Sequence, residues 1–252
     1  MQLHIEEQGE GPCAVFVHGF GGNVSSWDKL WPLFSPGRRV LRYDLRDFGR
    51  SVAASDESFT HVGDLASLLK SRSITRCDLI GVSMGGGVAL SFALDHPEMV
   101  RSLTLISPQL AGWEWSEPWR AQWAQITGLA RAGRMDEAKE LWWKHPLFET
   151  TRNSPAGVEL RHEIEVFAGR QWVRDNHALV LPDIERVHEL RVPTLLLTGA
   201  LDVAEFRLMA DIIEASAAVV RRVDIEGAGH MLHMEAVEIC AAQISSFLEA
   251  HR

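Results

Sequence analysis

The run Cys77-Asp78-Leu79-Ile80-Gly81-Val82-Ser83-Met84-Gly85-Gly86-Gly87 decides how this chain is read. Its first six residues form a mostly apolar, β-rich stretch, and the pattern beyond Ser83 turns helical as far as Asp95. A serine with Gly81 and Gly85 two residues to either side, between a strand and a helix, is the G-x-S-x-G turn called a nucleophile elbow. So tight a turn leaves no room for side chains at the two glycine positions and holds the serine in a strained backbone conformation. The start of the helix offers free N–H groups, at the positive end of the helix dipole, to a developing oxyanion. The bland alternative is a glycine-rich turn with a bystander serine; the strand–turn–helix context favours the elbow.

Outward from this run, β-rich segments at 3–8, 13–18, 39–43, 77–82, 100–106, 193–198 and 219–225 alternate with helical patterns at 25–34, 61–71, 84–95, 204–215 and 235–251. Ala14-Val15-Phe16-Val17 and Thr194-Leu195-Leu196-Leu197 lack polar alternation, as strands buried on both faces do. The alternation predicts an α/β fold: a mostly parallel open sheet with helices on both faces. Thr60 is the expected N-cap of the 61–71 helix, with Asp64 in its first turn. Between Ala111 and about Val180 the strand pattern disappears, and helices are expected over 116–132, 134–144 and 156–168. Trp113, Trp115, Trp119, Trp123, Trp142, Trp143 and Trp172 fall in this stretch. It reads as a helical insertion after the fifth or sixth strand, and Arg191-Val192-Pro193 resumes the sheet. The expected division is a core of 1–110 and 180–252, with a helical cap over 111–179.

The 252 residues carry 25 basic and 34 acidic side chains, a net charge of −9. That balance argues against a nucleic-acid partner, which would require a basic face. No apolar run approaches the ~18 residues that a membrane span needs. Met1–Glu7 has neither a basic nor an apolar signal region, so no secretory leader is expected. Cys13, Cys77 and Cys240 are odd in number, far apart and without zinc spacing. Reduced thiols, a cytoplasmic location and no metal site are the expectation.

A serine hydroxyl needs a base to become nucleophilic. His230, in Gly227-Ala228-Gly229-His230 just past the last strand, is the candidate, and His233 its competitor. Asp202, directly after the 193–198 strand in Gly199-Ala200-Leu201-Asp202, is placed to orient an imidazole. Ser83, Asp202 and His230 all follow strands, and ligand sites in open α/β sheets lie beyond the carboxyl ends of strands. His18-Gly19-Phe20-Gly21-Gly22-Asn23 follows another strand. Its Phe20 N–H, with that of Met84, makes a candidate oxyanion hole. The competing dinucleotide loop fails, because Val24 stands at the third glycine position. Asp44, some twenty residues on, belongs instead to the run Asp44–Ser51.

With these pieces in place the chain resembles the α/β-hydrolase superfamily over nearly its whole length. The His18-Gly19 loop, Asp44-Leu45-Arg46-Asp47-Phe48-Gly49-Arg50-Ser51, the Ser83 elbow, Asp202 and His230 carry the resemblance. Within the superfamily it is similar to the small esterase and lactonase branch typified by 3-oxoadipate enol-lactonase, whose helical cap follows the sixth strand. The resemblance implies Ser83 as nucleophile, His230 as base, Asp202 as its orienter, and Phe20 and Met84 as oxyanion donors. Asp47 departs from the glycine usual in the D-x-R-G run, and Val203-Ala204-Glu205-Phe206 lacks the proline common after the acid. Serine in the elbow disfavours the aspartate-nucleophile relatives.

The expected activity is hydrolysis of a small carboxylic ester or (enol-)lactone through an acyl-enzyme, with no cofactor. The expected partner is an apolar or aromatic small molecule, bound by Phe20, Met84, Trp119, Trp123, Trp142 and Trp143. Trp113 and Trp115 are read as bracing the cap hinge. Arg120, Arg131, Arg134, Arg161, Arg170 and Arg174 are candidate cations for a substrate carboxylate, with a solvated face as the default for each. C–C bond hydrolysis on the same triad, and a slowly hydrolysing small-molecule receptor, are the alternatives.

Overall fold

The computed structural model describes residues 3–51 and 57–252, so the first two residues of the stretch read for a signal lie outside it. Its strands are β1 (Ile5–Gln8), β2 (Cys13–Val17), β3 (Arg39–Tyr43), β4 (Cys77–Val82), β5 (Val100–Ile106), β6 (Thr194–Gly199) and β7 (Val220–Ile225). They form one sheet in the order β1-β3-β2-β4-β5-β6-β7. β1 runs antiparallel to β3, and the other pairings among the described residues are parallel. The helices are α1 (His61–Ser71), α2 (Met84–Asp95), α3 (Glu117–Arg131), α4 (Met135–Trp143), α5 (Glu149–Arg152) and α6 (Gly157–Val166). Then follow α7 (Arg170–Val173), α8 (Asp183–Arg186), α9 (Ala204–Ser216), α10 (Leu232–Glu235) and α11 (Val237–Ala250).

β2, β4 and β6 are buried along their whole length. Successive strand side chains face opposite sides, so each of these strands feeds two cores. Cys13, Val15, Val17 and Leu79 pack with Leu65 of α1, Leu90 of α2 and Met209 of α9. Ala14, Phe16, Ile80, Leu195 and Leu197 pack on the other face with Trp27 and with Ile244 and Phe247 of α11. All three cysteines are buried and free.

Local chemistry explains the helix starts. The Thr60 hydroxyl accepts the Gly63 N–H at 3.0 Å, and Ser116 caps α3 with Pro118 in the first turn. Two expected elements differ. The helix expected over 25–34 is two short 3-10 turns, Val24–Trp27 and Trp31–Phe34. Pro32 has no N–H to continue a helical ladder. The last helix is broken at Ala236 (φ −131°, ψ 49°) into α10 and α11. The helices α3 to α7 follow the fifth strand of the seven, so the count of six carried over from the family runs one too high. No helix among the described residues is long and apolar enough to cross a membrane.

The chain runs outward from β2 to β3 on one side and resumes at β4 on the other. The carboxyl ends of β2 and β4 therefore flank the crevice where the strand order reverses, the usual ligand position in an open α/β sheet. The first ends in the His18–Asn23 loop and the second in Ser83.

Candidate active site

Ser83 sits between β4 and α2 with φ 53° and ψ −121°, a conformation that costs a non-glycine residue about 1–3 kcal/mol. The surroundings enforce it. A Cβ on Gly81 would lie 2.3 Å from the Gly85 carbonyl oxygen, and one on Gly85 would lie 2.3 Å from the carbonyl oxygens of both Val17 and His18. The Ser83 N–H donates to the Ile106 carbonyl at 2.9 Å, and its own carbonyl accepts from Gly87 and Gln109.

His230 Nε2 lies 2.9 Å from Ser83 Oγ, while Nδ1 lies 3.0 and 3.2 Å from the two Asp202 carboxylate oxygens. The carboxylate can only accept, so Nδ1 carries the proton and Nε2 is left to accept from the serine. Asp202 is itself held by the Val203 N–H at 2.7 Å. The loops bearing the two groups are laced together: Leu201 N–H donates to Ala228 at 2.8 Å and Ala200 N–H to Ile225 at 3.0 Å. Phe206 covers the imidazole at a ring distance of 4.2 Å, and His230 is only 1 % exposed. The Glu235 carboxylate receives the Gly229 N–H and the Thr151 hydroxyl, both at 2.5 Å, which ties α5 to the histidine loop.

Met84 N–H opens α2, where no intrahelical acceptor is available. Phe20 N–H bonds to no other backbone group among the described residues. Its loop is set by His18, whose Nε2 accepts from Leu45 N–H at 2.9 Å. That fixes the tautomer in which Nδ1–H donates to the Gly19 carbonyl at 2.8 Å. Burial lowers the His18 pKa and keeps the ring neutral. Asp44 accepts the Val24 and Arg50 N–H groups at 2.7 Å each, which explains the run from Asp44 to Ser51 as a brace for this loop. Asp47 holds φ 68°, a left-handed position where aspartate substitutes for glycine at modest cost.

Above these groups lies a cavity of about 660 Å³. Ser83, His230, Phe20, Met84, Trp119, Trp123 and Trp142 line it. Trp143 does not: its indole faces the guanidinium groups of Arg152 and Arg161 at 6.0 and 5.4 Å. Neighbouring helical residues point about 100° apart, and α4 is rotated so that Trp142 faces the cavity and Trp143 does not. Trp115, expected to brace a hinge, lines the cavity beside Trp119 at a ring distance of 4.2 Å. The spacing of 119 and 123 shows that these two share a helix face, whereas Trp115 precedes the Ser116 cap and joins them only by stacking on Trp119. Trp113 is turned away and donates to Glu205 at 3.3 Å. Of the six cap arginines, Arg120, Arg131 and Arg174 reach the lining, as does Arg46 of the core, which is paired with Asp64. Arg134 and Arg161 pair instead with Glu137, Glu140 and Glu165.

His233 is not a base. It is buried against Trp27 at 5.1 Å with neither ring nitrogen hydrogen-bonded among the described residues, and burial pushes its pKa down to about 3. His145, buried under the edge of Trp119, is pushed down to about 4. Glu163, on α6, was missed by sequence reasoning: it is 6 % exposed, lines the cavity, and burial pushes its carboxyl up to about 7. Among the described residues no three His, Cys, Asp or Glu side chains converge to hold a metal ion.

Residues 14–243 match the family model described as "Alpha/beta hydrolase family". Over 142 residues the chain is 30 % identical to 2-hydroxymuconate semialdehyde hydrolase of Pseudomonas sp. (strain CF600), covering 54 % of this chain and 50 % of the relative. It is 35 % identical over 107 residues to the pimeloyl-[acyl-carrier protein] methyl ester esterase of Aeromonas hydrophila, covering 42 % of each. The chain thus spans about half the length of these two curated relatives. The enol-lactonase from Burkholderia xenovorans LB400 superposes with a TM-score of 0.81 at 23 % identity, over 98 % of this chain and 96 % of that one, a likeness of fold.

Proposed function

Since the chain belongs to the alpha/beta hydrolase family, we propose that it is a serine hydrolase cleaving a small carboxylic ester or (enol-)lactone through an acyl-enzyme on Ser83. The observation that carries the reading is the unbroken hydrogen-bonded line Ser83–His230–Asp202 at the floor of an aromatic cavity. His230 Nε2 takes the Ser83 proton as Oγ attacks the carbonyl, and Asp202 stabilises the imidazolium that forms. The Phe20 and Met84 N–H groups receive the developing oxyanion, a contribution of about 10²–10³ in rate per donor. The imidazolium then protonates the leaving alkoxide, and a water activated by the same ring releases the acid. The aromatic wall favours an apolar or aromatic substrate.

The test is a panel of aryl esters, alkyl esters and lactones with wild type and Ser83→Ala, together with labelling by a fluorophosphonate. Covalent labelling of wild type and loss of both labelling and turnover in Ser83→Ala are expected. Turnover that survives the substitution refutes the reading. C–C bond hydrolysis is the second reading, favoured by the partial similarity to the semialdehyde hydrolase. A vinylogous diketone acid in the same panel decides it, because only that reading makes it the fastest substrate.

A further inference from the structure

Glu163 is an acid placed where an apolar pocket has no structural need of one. It is 6 % exposed, it lines the cavity, and its Oε1 has no hydrogen-bond partner among the described residues. A buried carboxyl oxygen left open loses about 1–3 kcal/mol of solvation, so its retention calls for a partner that arrives from elsewhere. The group that faces it from the core is the Ser26 hydroxyl. Ser26 is buried and also lines the cavity. It sits against the oxyanion loop: a Cβ on Gly22 would lie 2.7 Å from Ser26 Oγ. Gly22 N–H donates to Gly19, where a Cβ would lie 3.2 Å from the Ser83 Cβ. Ser26 is thus packed against the 19–22 turn, whose other end lies against Ser83.

On the reading of the site given above, we infer that Glu163, with Ser26, forms a polar subsite that accepts a hydrogen-bond donor of the substrate, an alcohol O–H or an ammonium N–H. The same subsite rejects a substrate carboxylate. The carboxylate oxygen has lone pairs and nothing to donate when ionised, so a second carboxylate opposite it is repelled. Besides burial, Glu159 on α6 and Asp28 beyond the first 3-10 turn raise the Glu163 pKa, and each of these two acids has a cation of its own. Lys29 pairs with Glu159, and Arg42 pairs with Asp28 at 2.5 Å. At this position the carboxylate of an enol-lactone is disfavoured, even though the aromatic wall would accept the rest of such a molecule.

The test needs no turnover, so it stands or falls apart from the hydrolase reading. Binding of 3-phenylpropanol, 3-phenylpropylammonium, 3-phenylpropanoate and propylbenzene to the Ser83→Ala protein is measured by calorimetry or tryptophan fluorescence at about pH 8. A hydrogen bond to a charged partner corresponds to about tenfold or more in affinity. The ammonium and the alcohol are therefore expected to bind at least about tenfold tighter than the carboxylate, and the alcohol tighter than the hydrocarbon. In Ser83→Ala/Glu163→Gln the ammonium-over-carboxylate preference is expected to collapse to within about threefold, and in Ser83→Ala/Glu163→Leu the alcohol loses its advantage over propylbenzene. A carboxylate that binds best to the Ser83→Ala protein, or a ranking unchanged by both substitutions, overturns the proposal. Loss of turnover on an ester panel with the binding ranking intact would instead refute the hydrolase reading alone.

Discussion

Replacing Glu163 by glutamine should make this protein more stable in alkaline solution and change little in acid. A carboxyl that titrates at 4.5 in the open and is pushed up to about 7 by burial must shed a bound proton, on the alkaline side, inside a site that disfavours the ion. At about 1.4 kcal/mol per tenfold change in acidity, the penalty is about 3 kcal/mol once the group is ionised in both states. The sign follows from proton counting. Between 4.5 and about 7 the folded chain holds more protons at this position than the unfolded one, so stability falls as pH rises through that window and is then constant. Glutamine keeps the shape and carries no charge in either state. Urea unfolding of wild type and Glu163→Gln at about pH 5 and about pH 8.5 checks it, with the stability difference expected to move by roughly 2–3 kcal/mol in favour of the variant between the two. A difference that stays constant across that range refutes the reasoning, because a mere packing or hydrogen-bond effect has no reason to follow pH.

Three other substitutions probe the rest of the site. Asp202→Asn keeps the shape but offers an N–H to Nδ1 and selects the wrong tautomer of His230, so kcat should drop by about 10⁴ with fluorophosphonate labelling slowed in parallel. Gly85→Ala drives a methyl into the carbonyls of Val17 and His18, with 2.3 Å available, and is expected to cost about 3 kcal/mol or more, read as a lost soluble fraction or a lowered urea midpoint. His233→Phe should flatten the acid limb of stability. Below 6.5 the unfolded chain takes a proton that the buried ring, pushed down to about 3, refuses. The wild type therefore loses about 2 kcal/mol by about pH 5 relative to neutral at this one position, and the variant does not.

The sheet was legible because its central strands are buried on both faces, which leaves uninterrupted runs such as Ala14–Val17 and Leu195–Leu197. The elbow was legible because two glycines are forced by carbonyls 2.3 Å away. Less was legible where a side chain's neighbours come from distant segments. Trp142 and Trp143 look alike in the sequence, and only the rotation of α4 decides that one faces Phe20 and the other Arg161. Glu163 reads as a solvated helix residue between Ile164 and His162. Its burial is imposed by Ser26 and the rest of the cavity wall, to which no local pattern points. The break at Ala236 was likewise hidden: beside it the Glu235 carboxylate accepts from Gly229 and from Thr151, a residue 84 positions away.

The serine and the histidine that meet at 2.9 Å are 147 positions apart along the chain. On the proposed roles, a chain with β2, β4 and β5 assembled but β6 and β7 undocked would own the nucleophile and both oxyanion donors and would lack the proton acceptor until Asp202 and His230 are delivered. Long-range closures of this kind are slow steps. During refolding from urea, the return of turnover will therefore trail the return of secondary structure, and catalysis becomes a clock for the final stage of assembly.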